Sequence, residues 1–156
     1  MNRFIASFLS LWVLGIAAVA HANGNPSFQY IEPDGVDLPD ASFGLGVVIE
    51  PGHRLAFLTG RTGANADGGY PDDFETQARN ALAAVELLLS EVHMNWSDVV
   101  KINVYLTDRA DIPVWGRVRD EVIGASKPSG TGVIVKGLAH PDARVEVTVI
   151  AAQKVD

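Results

Sequence analysis

Asp72-Asp73-Phe74-Glu75-Thr76-Gln77-Ala78-Arg79-Asn80-Ala81-Leu82-Ala83-Ala84-Val85-Glu86-Leu87-Leu88-Leu89-Ser90-Glu91-Val92 is the stretch that decides the fold. Phe74, Ala78, Ala81, Val85, Leu88 and Val92 recur at alternating spacings of four and three, one face of a helix. Asp72 and Asp73 place negative charge at its start, where unpaired N–H groups and the helix dipole favour it. Directly downstream, Val99–Leu106 reads as a strand, with Val100, Ile102, Val104 and Leu106 on one face.

Working outward, a second helix spans about Ile112–Ile123 and buries Ile112, Trp115, Val118 and Val122, with Pro113 tolerated in its first turn. Strands at Thr131–Lys136 and Arg144–Ala152 follow. Upstream lie Phe28–Ile31, Leu45–Glu50 and Arg54–Thr59. The Pro51-Gly52 pair between the last two predicts a hairpin, and residues 60–71 read as a flexible, glycine-rich loop. The order is β-β-β-α-β-α-β-β. Right-handed crossovers then set both helices on one face of a single mixed sheet, an α+β fold. The opposite face would carry Val99, Tyr105, Ile134, Thr148 and Ile150, too apolar for water, so burial in an oligomer is expected.

The 156 residues suit one domain. Nineteen acidic against 12 basic residues give a net charge of −7, which argues against nucleic acid as a partner. Cysteine is absent, excluding disulfides, thiolate metal sites and a cysteine nucleophile. Residues 1–22 combine Arg3, an apolar run from Phe4 to Ala20 and the small-x-small end Ala20-His21-Ala22, the layout of a secretory signal peptide. Residues 23–42 then form an N-terminal segment and 43–156 the domain. The expected location is periplasmic or secreted, with no membrane contact after cleavage. A membrane anchor is the competing reading, weakened by the short run and the polar Asn23-Gly24-Asn25 behind it.

The loop Gly60-Arg61-Thr62-Gly63 lacks the ending of a phosphate loop, and Asp67, Asp72 and Asp73 do not follow calcium-loop spacing. His53, His93 and His140 show no metal-ligand spacing, so no metal is expected, and there is no serine nucleophile elbow. Asn95-Trp96-Ser97 fits a glycosylation sequon or a plain helix-to-strand turn. Glu146, between Val145 and Val147, points away from those valines. It is either a general base or water-positioning group, or a solvated edge carboxylate. Arg61, at a strand exit, either binds an anion or pairs with a surface acid.

Four segments in order resemble the RidA/YjgF family of imine and enamine deaminases: Leu55–Arg61, Asp73–Leu82, Asp98–Asp108 and Arg144–Ala151. They match its Ser-Gly-Gln strand, its Gln-x-Arg helix, its Asp-Val-Val-Lys strand with Tyr-Leu-x-Asp, and its closing Glu-rich strand. The resemblance implies a chorismate-mutase-like fold, a homotrimer with a small-molecule pocket at each subunit interface, and no cofactor. Residue by residue, it implies Glu146 as the water-handling carboxylate and Phe43, Gly60, Arg61, Gly130, Thr131 and Gly132 as the substrate-binding positions. Phe43 stands where the family has a pocket tyrosine, and Arg61 where it has glutamine. In Lys127-Pro128-Ser129-Gly130-Thr131-Gly132, Gly130 replaces the arginine that clamps the substrate carboxylate. Losing a clamp worth about 1.5–3 kcal/mol per charge-assisted hydrogen bond argues against 2-aminoacrylate deamination. It leaves two alternatives, imine hydrolysis with altered specificity or a non-catalytic binding or chaperone-like role, with replacement of the missing cation by Arg61 from another pocket wall as an intermediate possibility.

Overall fold

A computed structural model describes residues 27–36 and 43–155; the expected signal peptide lies outside them. The strands are β1 (Gln29–Ile31), β2 (Gly46–Val48), β3 (His53–Phe57), β4 (Arg61–Thr62), β5 (Val99–Leu106), β6 (Ser129–Ile134) and β7 (Val145–Lys154). The helices are α1 (Phe74–Glu91) and α2 (Ile112–Ile123), with short 3-10 turns before β5 and before α2. The main sheet is ordered β3-β7-β5-β6, with β4 also paired to β7. Only β5 and β6 run parallel. Helix α1 lies against β7 and β4, and α2 lies beside α1, so both helices cover one face of a mixed α+β sheet, as expected.

Helix α1 starts where its chemistry says it should. The Asp73 carboxylate accepts from the Thr76 N–H at 2.8 Å and from the Thr76 hydroxyl at 2.7 Å, which holds its pKa below the usual range. At the far end His93 takes a left-handed conformation (φ 56°), and Met94 N–H reaches back to the Leu89 carbonyl at 2.9 Å, a Schellman closure. The buried stripe is wider than the spacing predicted. Leu82, Leu89 and Gln77 are fully buried and Leu88 only half so. In α2, Trp115 and Val118 are buried as expected, but Ile112 is 43% exposed and Val122 half-buried. Arg119 and Ile123 take the inner positions.

Three expectations for the strands are corrected. The Pro51-Gly52 turn does not close a hairpin: β2 pairs with β1 in a separate two-stranded sheet, whereas β3 pairs with β7. The stretch 60–71 is not wholly a loop, because Arg61 and Thr62 join the ladder of β7 and Asn65 is held by Gly69 and Asn80. The third correction is the set of residues facing away from the helices. A bulge between Val99 and Lys101 turns the alternation over, so Val99 joins the helix-side core and Val100 the opposite face. Ile134 lies opposite the buried Leu106, hence on the helix side, and Val133, opposite Tyr105, takes its place.

That helix-free face is less greasy than expected. Phe28, Tyr30, Val47 and Ile49, brought in by the β1–β2 sheet, cover Val100, Ile150 and Ala152 from within the same chain. Phe28 and Tyr30 of the N-terminal segment are thus packed onto the domain. The middle of the face is polar, with Lys101, Asn103, Thr131 and Thr148, and Asn103 Nδ2 donates to Thr148 Oγ1 at 3.2 Å. Asn95 belongs to a local cap: its side chain accepts from Ser97 N–H at 2.8 Å while Asp98 accepts from Asn95 N–H.

Candidate functional site

Strand β7 alternates buried valines with half-buried residues, and this sets Glu146 on the helix-free face, opposite Tyr105 of β5 and Thr62 of β4. The neighbouring edge is interrupted at just this height. Between Phe57 and Arg61, three residues (Leu58, Thr59, Gly60) face two of β7 (Thr148, Val149), and Leu58 N–H still reaches the Val149 carbonyl at 3.1 Å. This bulge brings the Gly60 backbone onto the Glu146 side chain. A Cβ at position 60 would lie 2.0 Å from Glu146 Oε1. Gly60 is therefore the residue that makes room for the carboxylate.

The other expected residues are distributed around this pair. Thr131 shares the helix-free face with Glu146 but is two strands away, and its hydroxyl accepts from Lys101 Nζ at 2.9 Å, with Ser129 Oγ 3.5 Å from the same ammonium. Gly130 and Gly132 are extended and turn their missing side chains to the helix side. There a Cβ on Gly130 would strike the Phe43 ring at 2.2 Å, and one on Gly132 would touch Val104 at 3.4 Å. Phe43 is held from beyond by the buried Arg119, whose guanidinium lies 4.6 Å from the ring centroid and pairs with Asp120 at 2.8 Å. Arg61 stands opposite Val147, and cross-strand partners share a face, so Arg61 is exposed on the helix side and is not brought to Glu146. Within one chain the sheet divides the set: Gly60, Glu146 and Thr131 on one side, Phe43, Gly130, Gly132 and Arg61 on the other. Among the described residues no group of His, Asp or Glu could hold a metal ion.

Sequence reading missed a group of side chains that reaches Thr62, the cross-strand partner of Glu146. The Thr62 hydroxyl meets the Tyr70 hydroxyl at 2.7 Å, and the Tyr70 ring stacks on His140 with centroids 4.4 Å apart. Behind them Gln77, 1% exposed, donates to the carbonyls of Pro71 (2.7 Å) and Asp142 (3.0 Å) and accepts from Arg144 N–H (2.9 Å). A glutamine inside an otherwise apolar helical stripe was the one available clue, since a buried amide has to be hydrogen-bonded to something.

Comparison with known proteins agrees with this architecture. The family model described as Endoribonuclease L-PSP matches residues 41–153. A RutC family protein of Pyrococcus abyssi is 33% identical over 100 residues, 63% of this chain and 78% of that protein. The 3-aminoacrylate deaminase RutC of Acinetobacter baylyi is 27% identical over 125 residues, 79% of this chain and 96% of that protein. Among solved structures, the protein YyfB of the conserved Rid family from Yersinia pestis superposes with a TM-score of 0.70 at 20% identity, covering 81% of this chain and 99% of the other. With its mixed sheet, its two helices on one face and a family match over most of its length, the chain belongs to the RidA/YjgF family, the family of the endoribonuclease L-PSP model, and has its chorismate-mutase-like α+β fold.

Proposed function

We propose that the protein hydrolyses small imines or enamines that lack the usual carboxylate anchor, at a site where Glu146 positions the attacking water. The observation that carries this reading is the bulge at Leu58–Gly60, which leaves a side-chain-free backbone against the Glu146 carboxylate. Water adds to the C=N carbon as Glu146 accepts its proton. The proton passes to nitrogen to give a carbinolamine; its hydroxyl proton then moves to nitrogen by way of Glu146 as the C=O bond forms and the C–N bond breaks, and a carbonyl compound and ammonia leave. The name of the Acinetobacter relative, a 3-aminoacrylate deaminase, supports this class of chemistry. Gly130 and the Phe43 ring that fills its surroundings support the altered specificity, because no arginine clamp is available there. An RNA substrate is disfavoured by the net charge of −7.

The division of the site residues between the two sides of the sheet supports a pocket completed by a neighbouring copy, in the homotrimer that the resemblance implies. The basic, apolar and small-residue layout of positions 1–22 supports export to the periplasm or beyond. No helix among the described residues is long and apolar enough to cross a membrane.

Glu146→Gln tests the reading, because the amide keeps the shape but cannot take a proton. Ammonia release from uncharged imines should disappear while folding and binding of the neutral probe pyruvamide persist. Undiminished turnover would remove Glu146 from the mechanism. No turnover by the unmodified protein with any imine would favour the binding-protein reading.

A further inference from the structure

We propose that the stacked pair Tyr70–His140 forms a wall of the Glu146 site and that the Tyr70 hydroxyl positions a neutral substrate there. This rests on the reading of Glu146 given above. Tyr70 ends the glycine-rich loop and His140 precedes β7, so chain proximity does not bring them together. Their rings nevertheless lie 4.4 Å apart and 22° from parallel. Both loops are fastened to one side chain. Gln77 holds Pro71, next to Tyr70, and Asp142 and Arg144, beyond His140, through three hydrogen bonds at a position 1% exposed. A buried amide so fully used cannot turn without stranding its partners, so the wall is rigid before anything binds.

The wall is aimed at the site. Tyr70 Oη lies 2.7 Å from Thr62 Oγ1, and Thr62 is the cross-strand partner of Glu146, on the same face. A phenol offers one O–H and two lone pairs, so the bond to Thr62 leaves Tyr70 capacity for a further partner. Phe43, the position where the resemblance expects a pocket tyrosine, has no hydroxyl and is packed between Gly130 and Arg119. Tyr70 supplies a phenol from a different wall. With no clamp at Gly130, a substrate held this way is recognised by hydrogen bonding rather than charge: an uncharged imine or enamine, as opposed to one derived from an amino acid.

The test uses the full-length protein labelled with 3-fluorotyrosine. The chain has three tyrosines, Tyr30, Tyr70 and Tyr105, and the Tyr70 resonance is identified by its loss in Tyr70→Phe. Titration with pyruvamide, the neutral probe, should shift the Tyr70 resonance saturably, and pyruvate should shift it less. Tyr70→Phe should lower kcat on neutral imines by roughly tenfold, the loss of one neutral hydrogen bond. A Tyr70 resonance that neither probe moves overturns the proposal. So does full activity of Tyr70→Phe beside an inactive Glu146→Gln, an outcome that leaves the role of Glu146 standing. If Glu146→Gln stays active, the reading of Glu146 falls, and the Tyr70 wall stands or falls on its resonance shift.

Discussion

Replacing Gly60 with Ala separates the chemistry of this site from the stability of the fold. The added methyl would sit 2.0 Å from Glu146 Oε1, 2.9 Å from Cδ and 3.2 Å from Cγ. To reach an ordinary contact of about 3.5 Å the carboxylate oxygen has to retreat by roughly 1.5 Å. The group that moves is the far end of a flexible side chain, and Gly60 is not among the glycines with positive φ, so the backbone accepts alanine. Folding should change by no more than about 1 kcal/mol, partly offset by the lower entropy of the unfolded alanine chain. Catalysis should change far more, because a displacement of about 1 Å costs on the order of a hundredfold in rate. Thermal unfolding and coupled ammonia release, with semicarbazide trapping of the imine, measure the two effects on one sample. A Gly60→Ala protein that melts normally and turns over as fast as the parent would refute the placement of the water-handling group at Glu146.

Two further outcomes are expected. Gly130→Arg should not restore a carboxylate clamp: its Cβ lands 2.2 Å from the Phe43 ring, and displacing that ring also breaks its stacking with Arg119, for a loss of roughly 2–4 kcal/mol in chemical denaturation. On the outer surface Glu75 accepts from Arg117 at 2.6 Å and Arg79 at 2.8 Å, and these bonds lower its pKa from 4.5 to about 2. A depressed carboxylate contributes stability above its unfolded pKa and loses it as pH falls through the folded one, so this contribution should fade between about pH 4.5 and 2. Glu75→Gln should flatten the acid-unfolding curve in that window, and added salt should shrink the difference because the cluster is exposed.

Much of this architecture was legible because periodicity reports burial directly. The apolar spacing of Phe74, Ala78, Ala81 and Val85 identified α1, and Val145 and Val147 told which way Glu146 faces. What escaped depends on interactions between distant segments. Nothing local distinguishes a bulge at Val99–Lys101 from an unbroken strand, yet one extra residue exchanged the faces of Val99 and Val100. The Pro51-Gly52 turn looks like a hairpin because local geometry specifies that the chain reverses, not which strand it then meets. The local sequence was enough to tell which face of the sheet Glu146 takes, whereas the contact of Tyr70 with Thr62 and His140 depends on Gln77, which fastens two loops that are far apart in sequence.

The place of β7 bears on how the molecule comes into being. It pairs with β3, β4 and β5, and it follows all three of them in the chain. Until Val145–Lys154 has emerged, β3 and β4 have no partner in the main sheet, and α1 has lost the strand against which Val85 and Leu89 are buried. Helical segments can form early, because their contacts are local. The sheet must wait for closure of a loop of nearly a hundred residues between Phe57 and Ile150. A nascent chain therefore lacks the organising element of its main sheet until β7 has been made. Until it is present, the apolar segments of β3 and β5 stay open to chaperones.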